Sequence, residues 1–343
     1  MNATEFSDEC SADPFDGDPL LTLGDAQFFS VDRNVLLSDP ARDFDLYVKR
    51  GARFLLYRSK EFSFTAEDAT ALVKGGTRVL YILNSEHGKY IQYLEKSLLT
   101  TLVDEAIPLD TRAAALYDLS ASVIGDLAAN PKSKRNLARS KDVVDGIARF
   151  AGCSSGALRS LFSQERPEAY AITHGIDTCI YGIGLGAASG IKDPDDLRAL
   201  GVGCLLHDVG KHLLPDRIVN KPAQLSAAEW TILKRHPELG AQICRNSGEI
   251  DERSLVPIQQ HHERMDGSGY PQGLSGDQIH LFSRITATAD VFDALTSDRP
   301  SSPASEAFPA QGTFPALKTM KEQLEGKIDP ETFRQLVLML KAR

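Results

Sequence analysis

The chain has 343 residues, 38 of them basic and 47 acidic, for a formal net charge of −9. That length suggests about two domains at roughly 100–200 residues each, with room to bury a sizeable core. Hydrophobic residues at 42% and charged residues at 25% exclude wholesale disorder, collagen and a coiled-coil rod, and the acidic balance argues against a general nucleic-acid binder that works by neutralising phosphates.

Residues 1–19 carry Glu5, Asp8, Glu9, Asp13, Asp16 and Asp18 without one basic residue. They read as a flexible acidic tail and lack the apolar run of a signal peptide. The segments 44–50 and 52–58 read as a strand pair turning at Gly51, and 78–83 as a further strand. Between them Thr65, with Asp68 three residues on, signals a helix start that Gly75 and Gly76 stop. Ile91, Leu94, Leu98 and Leu102 then recur at helical spacing. Residues 20–105 are therefore expected to form a small α/β regulatory or partner domain. It holds no ligand cluster and no Gly-rich phosphate loop, and His87 stands alone as a surface or turn residue.

Strand signals fade after Leu109. Leu116, Leu119, Val123 and Leu127 form one helical stripe within an expected helical linker at 106–140, whose polar stretch from Asn130 to Lys141 reads as a hinge or a solvated helix end. Residues 141–343 are expected to form an all-α domain of successive helices, with a loop at 300–315 and a last helix capped by Asp329-Pro330. The fold class is α+β overall. The most apolar stretch, Ala171 to Ile191, is broken by His174 and Asp177, so no membrane span is expected. Five scattered cysteines without a CxxC pair read as reduced thiols, which points to the cytoplasm.

Seven of the eight histidines fall between 174 and 280. One histidine in a helical domain ordinarily packs in the core or sits on the surface. Adjacent pairs change the weighing: His207-Asp208 follows the apolar run VGCLL, and His261-His262 ends the run LVPIQQ. Burying two ionisable side chains at the end of an apolar helix is costly unless they pair or coordinate a metal. With His174, His236 and Asp290 the set is rich in imidazole and carboxylate and lacks thiolate. That donor chemistry favours iron or manganese, with zinc, nickel or magnesium also possible. A carboxylate such as Asp208 can bridge two ions, and two ions a few Å apart suit in-line displacement at phosphorus.

The string His207-Asp208-Val209-Gly210-Lys211, followed by HHERMDGSGYP at 261–271, resembles the HD-GYP subfamily of HD-domain phosphohydrolases. The segments NKPAQLSAAEW at 220–230, RHPELG at 235–240 and RITATADVFDALTSDRP at 284–300 agree with it. The resemblance covers about 165–300 and is weaker around Asp329-Pro330. It implies an all-helical HD core and a bacterial signal-transduction hydrolase of cyclic di-GMP, with water attack at a binuclear centre giving pGpG, GMP or both. It further implies His174, His207, Asp208, His236, His261, His262 and Asp290 as ligands of two divalent metal ions. Asp208 and Lys211 become the catalytic residues, and Lys211 the contact to the scissile phosphate. Gly269, Tyr270, Pro271 and Arg299 become candidate substrate contacts. Implied partners are cyclic di-GMP itself, a protein docking through the amino-terminal or GYP region, and a second copy in an oligomer; DNA is not among them.

Two features depart from the family pattern. Tyr170 stands where some members carry a glutamate that adds a third metal, so two metals are expected here, with Glu263 as the other carboxylate able to stand in. After the last aspartate motif the chain reads Arg299-Pro300-Ser301-Ser302 in place of RPYR. Loss of that Tyr-Arg keeps a second reading open: a low-turnover cyclic di-GMP receptor that signals through the amino-terminal domain.

Overall fold

The structure, a computed structural model, describes residues 27–37, 42–77, 79–154, 156–164, 170–221, 223–297 and 311–341. The acidic tail, Arg299 and most of the 300–315 loop lie outside the described residues. The chain divides into two compact units, to Tyr93 and from Leu94 onward.

The first unit is built on β1 (Phe28–Asp32), β2 (Leu46–Arg50), β3 (Arg53–Arg58), α1 (Ala66–Lys74), β4 (Val79–Leu83) and the start of α2 (His87–Val103). The sheet is antiparallel, in the order β1-β4-β2-β3. The hairpin turns at Gly51, pairing Arg50 with Arg53. β1 is the strand that sequence patterning did not reveal. It is only five residues long, and its place beside β4, Phe28 opposite Leu83, depends on a partner more than fifty positions away. Phe28 stacks on Phe54 at 4.0 Å and meets Tyr47 edge-on at 5.1 Å, giving one sheet face an aromatic cluster. In β4 the alternate residues Leu80 and Ile82 are fully buried, as period-two patterning requires. Helix α1 starts as expected: the Thr65 hydroxyl accepts the Asp68 N–H and the Asp68 carboxylate accepts the Thr65 N–H.

The second unit is helical. It contains α3 (Leu109–Ala129), α4 (Lys134–Cys153), α5 (Ala157–Phe162), α6 (Tyr170–Ala188), α7 (Pro194–Leu206), α8 (Asp216–Val219), α9 (Ala227–Leu233), α10 (His236–Ser247), α11 (Glu252–Gln260), α12 (Leu281–Thr296), α13 (Thr313–Gln323) and α14 (Pro330–Lys341). The stripe Leu116, Leu119, Val123 and Leu127 is buried on α3. The basic stretch after Asn130 is a helix start: Ser133 accepts the Asn136 N–H and α4 runs on from there. Helix α6 packs on α7 and α12, α11 on α7, and α10 on α11. Asp329 caps α14 by accepting the Glu331 and Thr332 N–H groups, and ion-pairs with Arg284 of α12 at 2.9 Å. A satellite core of Leu214, Ile218, Leu225 and Leu233, with Trp230 packed on it, steadies the segment between α7 and α10. Among the described residues no helix is long and apolar enough to cross a membrane.

Candidate metal centre

Three helices and two turns deliver seven side chains to one place. Helix α6 brings His174, the turn after α7 brings His207 and Asp208, α10 opens with His236, the turn after α11 brings His261 and His262, and α12 brings Asp290. Their donor atoms fall into two sets, Asp208 with His236, His261 and His262, and His174 with His207 and Asp290; within each set the atoms lie within 4.8 Å of one another. The approach of α10 to the His207-Asp208 corner depends on Gly210. A Cβ there would stand 2.0 Å from the His236 carbonyl oxygen and 2.6 Å from the Gly240 nitrogen, so only glycine permits it.

Asp208 lies between the two sets. Its Oδ1 faces His236 Nε2 at 3.2 Å and His261 Nε2 at 3.8 Å, while Oδ2 faces His207 Nε2 at 3.4 Å and His174 Nε2 at 3.9 Å. Asp290 Oδ1 lies 3.2 Å from His174 Nε2 and 3.9 Å from His207 Nε2.

The imidazoles are aimed from behind. His207 Nδ1 donates to the Cys204 carbonyl at 2.7 Å, His236 Nδ1 to Leu233 at 2.8 Å and His261 Nδ1 to Ile258 at 3.0 Å, each three residues back. With the proton on Nδ1, each Nε2 presents a lone pair to the centre. His236 and His261 bring two such nitrogens within 3.2 Å, an arrangement that a cation relieves. His207 Nε2 and Asp208 Oδ1 are buried without a hydrogen-bond partner. Buried acceptors without partners are destabilising, and nitrogen and oxygen donors in this number suit divalent iron, manganese or zinc. The residues present therefore fit a pair of metal ions.

Electrostatics agree with that fit at the two carboxylates and at His261 and His262. Burial opposes charge on Asp208 and Asp290, but Lys211 with His207 and His236 holds the Asp208 carboxyl, and His174, His207 and His262 hold that of Asp290, well below the usual carboxylate range. Burial, reinforced by neighbouring imidazoles, pushes His261 and His262 well below the ordinary imidazole value, so both stay neutral. His174 goes the other way: burial lowers it, yet Asp290 and Asp293 outweigh burial and raise it to about 10.

Residues 185–332 match the HD domain family. The chain is 36% identical over 202 residues to the cyclic di-GMP phosphodiesterase PA4108 of Pseudomonas aeruginosa, covering 59% of this chain and 47% of that protein. It is 44% identical over 108 residues to the cyclic di-GMP phosphodiesterase response regulator RpfG of Xanthomonas campestris, covering 31% of this chain and 28% of the other. It is 36% identical over 187 residues to the 3′3′-cGAMP-specific phosphodiesterase 3 of Vibrio cholerae, covering 54% and 38%. The chain thus spans less than half the length of these relatives. Among solved structures, Bd1817, an HDG"Y"P protein from Bdellovibrio bacteriovorus, aligns over 92% of this chain and 99% of its own, with a TM-score of 0.64 and 26% identity. The helical unit contains an HD domain and is similar to HD-GYP proteins.

The remaining candidate residues take their places around this centre. Lys211 Nζ sits 2.6 Å from Asp208 Oδ2. Tyr270 stacks on His262, ring centroids 4.6 Å apart, and Lys234 lies over the Tyr270 ring at 5.2 Å. Burial pushes the Tyr270 hydroxyl above its ordinary value. Gly269 is pressed onto the backbone, where a Cβ would lie 2.5 Å from the Glu263 Cα and the His262 oxygen, and Tyr270-Pro271 is a cis peptide. Arg299 lies outside the described residues.

Two residues have roles that sequence reading did not assign. Glu263, expected as a stand-in metal carboxylate, is committed elsewhere: its oxygens accept the Gln272 N–H at 2.7 Å and the Leu274 N–H at 3.0 Å, tying down the GYP loop. Asp293 binds His174 Nδ1 at 2.6 Å. Its only sequence signal was its position three residues after Asp290, on the same helix face. Tyr170, in place of the family glutamate, lays its ring against His174, centroids 5.1 Å apart.

Proposed function

We propose that the HD domain hydrolyses a 3′–5′ phosphodiester of cyclic di-GMP to linear pGpG, with GMP as a further product. The observation that carries this reading is the pair of donor sets meeting at Asp208, one carboxylate oxygen toward each. His174, His207 and Asp290 would hold one divalent ion, His236, His261 and His262 the second, with Asp208 between them. Two such ions, iron or manganese by donor chemistry, supply Lewis-acid charge to the phosphoryl oxygens and activate water. The chain itself orients: backbone carbonyls and Asp293 aim the imidazoles, and helix packing excludes bulk water from their rear faces. Lys211 provides a cation beside Asp208 that can move onto a phosphate oxygen as negative charge grows there. Tyr270, held against His262, forms one wall for the substrate.

The test is chromatographic. Manganese- or iron-loaded protein is incubated with cyclic di-GMP, 3′3′-cGAMP and pGpG in parallel. Conversion of cyclic di-GMP to pGpG is expected, with Asp208→Ala inactive, depleted in metal and unchanged in circular dichroism. Full metal content and full activity in Asp208→Ala would overturn the assignment. Tight binding of cyclic di-GMP without turnover by the wild type would make the domain a receptor.

A further inference from the structure

Three of the central histidines share one support: Nδ1 of His207, His236 and His261 donates to a backbone carbonyl three residues earlier, in the last turn of the helix that precedes it. A carbonyl fixed by the helix itself cannot be removed by a side-chain change. His174 differs. It stands within α6, where the carbonyls around it are engaged in the helix, and its Nδ1 meets the Asp293 carboxylate of α12 at 2.6 Å, 119 residues away in sequence. Asp293 is fully buried. Its other oxygen, Oδ1, accepts the Ser297 hydroxyl at 2.8 Å, so both carboxylate oxygens are engaged and the group has one orientation. Asp290, one turn earlier on α12, faces the opposite ring nitrogen, Nε2, at 3.2 Å. Helix α12 therefore grips the His174 ring at both nitrogens, with one carboxylate inside the centre and the other outside it.

We propose that Asp293 is a positioning residue that orients His174 and thereby governs metal affinity at one of the two donor sets, that of His174, His207 and Asp290, and not at the other. This rests on the reading of the seven residues as a binuclear metal site. An ionised carboxylate only accepts, so Nδ1 must donate to it, and the Nε2 lone pair is left for the ion. Residues placed in this way behind a metal-binding histidine typically govern affinity by about 10- to 100-fold. The set of Asp208, His236, His261 and His262 owes nothing to Asp293, because the Nδ1 supports of His236 and His261 are backbone.

The experiment measures bound manganese after equilibrium dialysis over a range of free Mn²⁺, for wild type, Asp293→Asn and Asp293→Ala. Circular dichroism and thermal melting of each protein accompany it. Wild type is expected to bind two ions. Asp293→Ala should keep one ion at wild-type affinity and bind the second about 10- to 100-fold more weakly. Asp293→Asn, whose amide oxygen can still accept from Nδ1 while its NH₂ turns to the Ser297 oxygen, should recover most of that loss. Two ions at unchanged affinity in Asp293→Ala would overturn the proposal with the binuclear reading intact. Equal weakening of both ions, or Asp293→Asn as weak as Asp293→Ala in a folded protein, would also overturn it. A wild type that binds no manganese would instead bring down the binuclear reading on which the proposal rests.

Discussion

Lys211 and Asp208 are separated by 2.6 Å, Nζ to Oδ2, and the lysine joins the carboxylate that stands between the two donor sets. Both belong to one turn after α7, so the ammonium reaches the centre whatever the surrounding loops do. Asp208 has histidines on its other sides and stays a carboxylate without Lys211. Lys211→Ala should therefore retain metal and lose about 100- to 1,000-fold in kcat, the effect of removing one donor that meets developing charge. Elemental analysis beside steady-state kinetics checks this; unchanged kcat/KM would place the side chain outside the reaction.

Gly210 makes the centre possible by letting the turn after α7 touch the start of α10. Gly210→Ala forces a methyl into the His236 carbonyl, a backbone atom that cannot swing away. The expected result is a destabilisation of about 1–3 kcal/mol together with weaker metal binding at the His236 set. Denaturant titration and metal analysis on the same preparation test both parts.

Glu263 should behave as a fastener of the GYP loop. Glu263→Ala leaves the Gln272 and Leu274 N–H groups without their acceptor, and hydrogen bonds to a charged group contribute about 1.5–3 kcal/mol each. Hydrogen exchange at those two amides should accelerate and KM should rise as Tyr270 loosens, while bound metal stays at two. Loss of one metal in Glu263→Ala would return Glu263 to the ligand set.

The thiols divide by burial. Cys153 is exposed, whereas Cys179, Cys204 and Cys244 are buried. Burial raises Cys204 and Cys244 to about 12, and Cys179 is also well above the ordinary thiol value. Reactivity requires the thiolate. Of these four, iodoacetamide should modify Cys153 in the native protein and the others only after denaturation, as peptide mass mapping would show.

Glu229 caps α9 and ion-pairs with Lys221 at 2.7 Å; the Lys221 contact and the Ser226 hydrogen bonds hold its carboxyl at about 2. A folded-state value below the unfolded one stabilises at pH above the ordinary glutamate range and loses that contribution as pH falls toward the folded value. Glu229→Gln should therefore differ from wild type at pH 7, with the difference shrinking as pH falls from about 4.5. Trp230, the chain's one tryptophan, adjoins the site and reports the unfolding of this segment by fluorescence. A difference that stays constant with pH would assign the effect to helix propensity.

The side chains that meet at the candidate metal centre were legible in the sequence because their residue types are costly to bury without a purpose. His207-Asp208 after VGCLL and His261-His262 after LVPIQQ announce themselves by chemistry alone, and so do local caps such as Thr65 with Asp68 and Ser226 with Glu229, whose partners lie three residues apart. The division into an amino-terminal sheet unit and a helical domain was likewise a matter of local periodicity. What the tertiary structure decided concerns partners far apart. Strand β1 exists because β4 accepts it, and the Asp208 oxygens divide between donor sets because α6, α10, α11 and α12 converge on that corner. Glu263 and Asp293 are both acidic residues beside strong motifs, indistinguishable in sequence from metal ligands. One caps the N–H groups of a loop and the other stands behind His174, since a carboxylate's function depends on the atoms it meets, and chain packing sets those meetings.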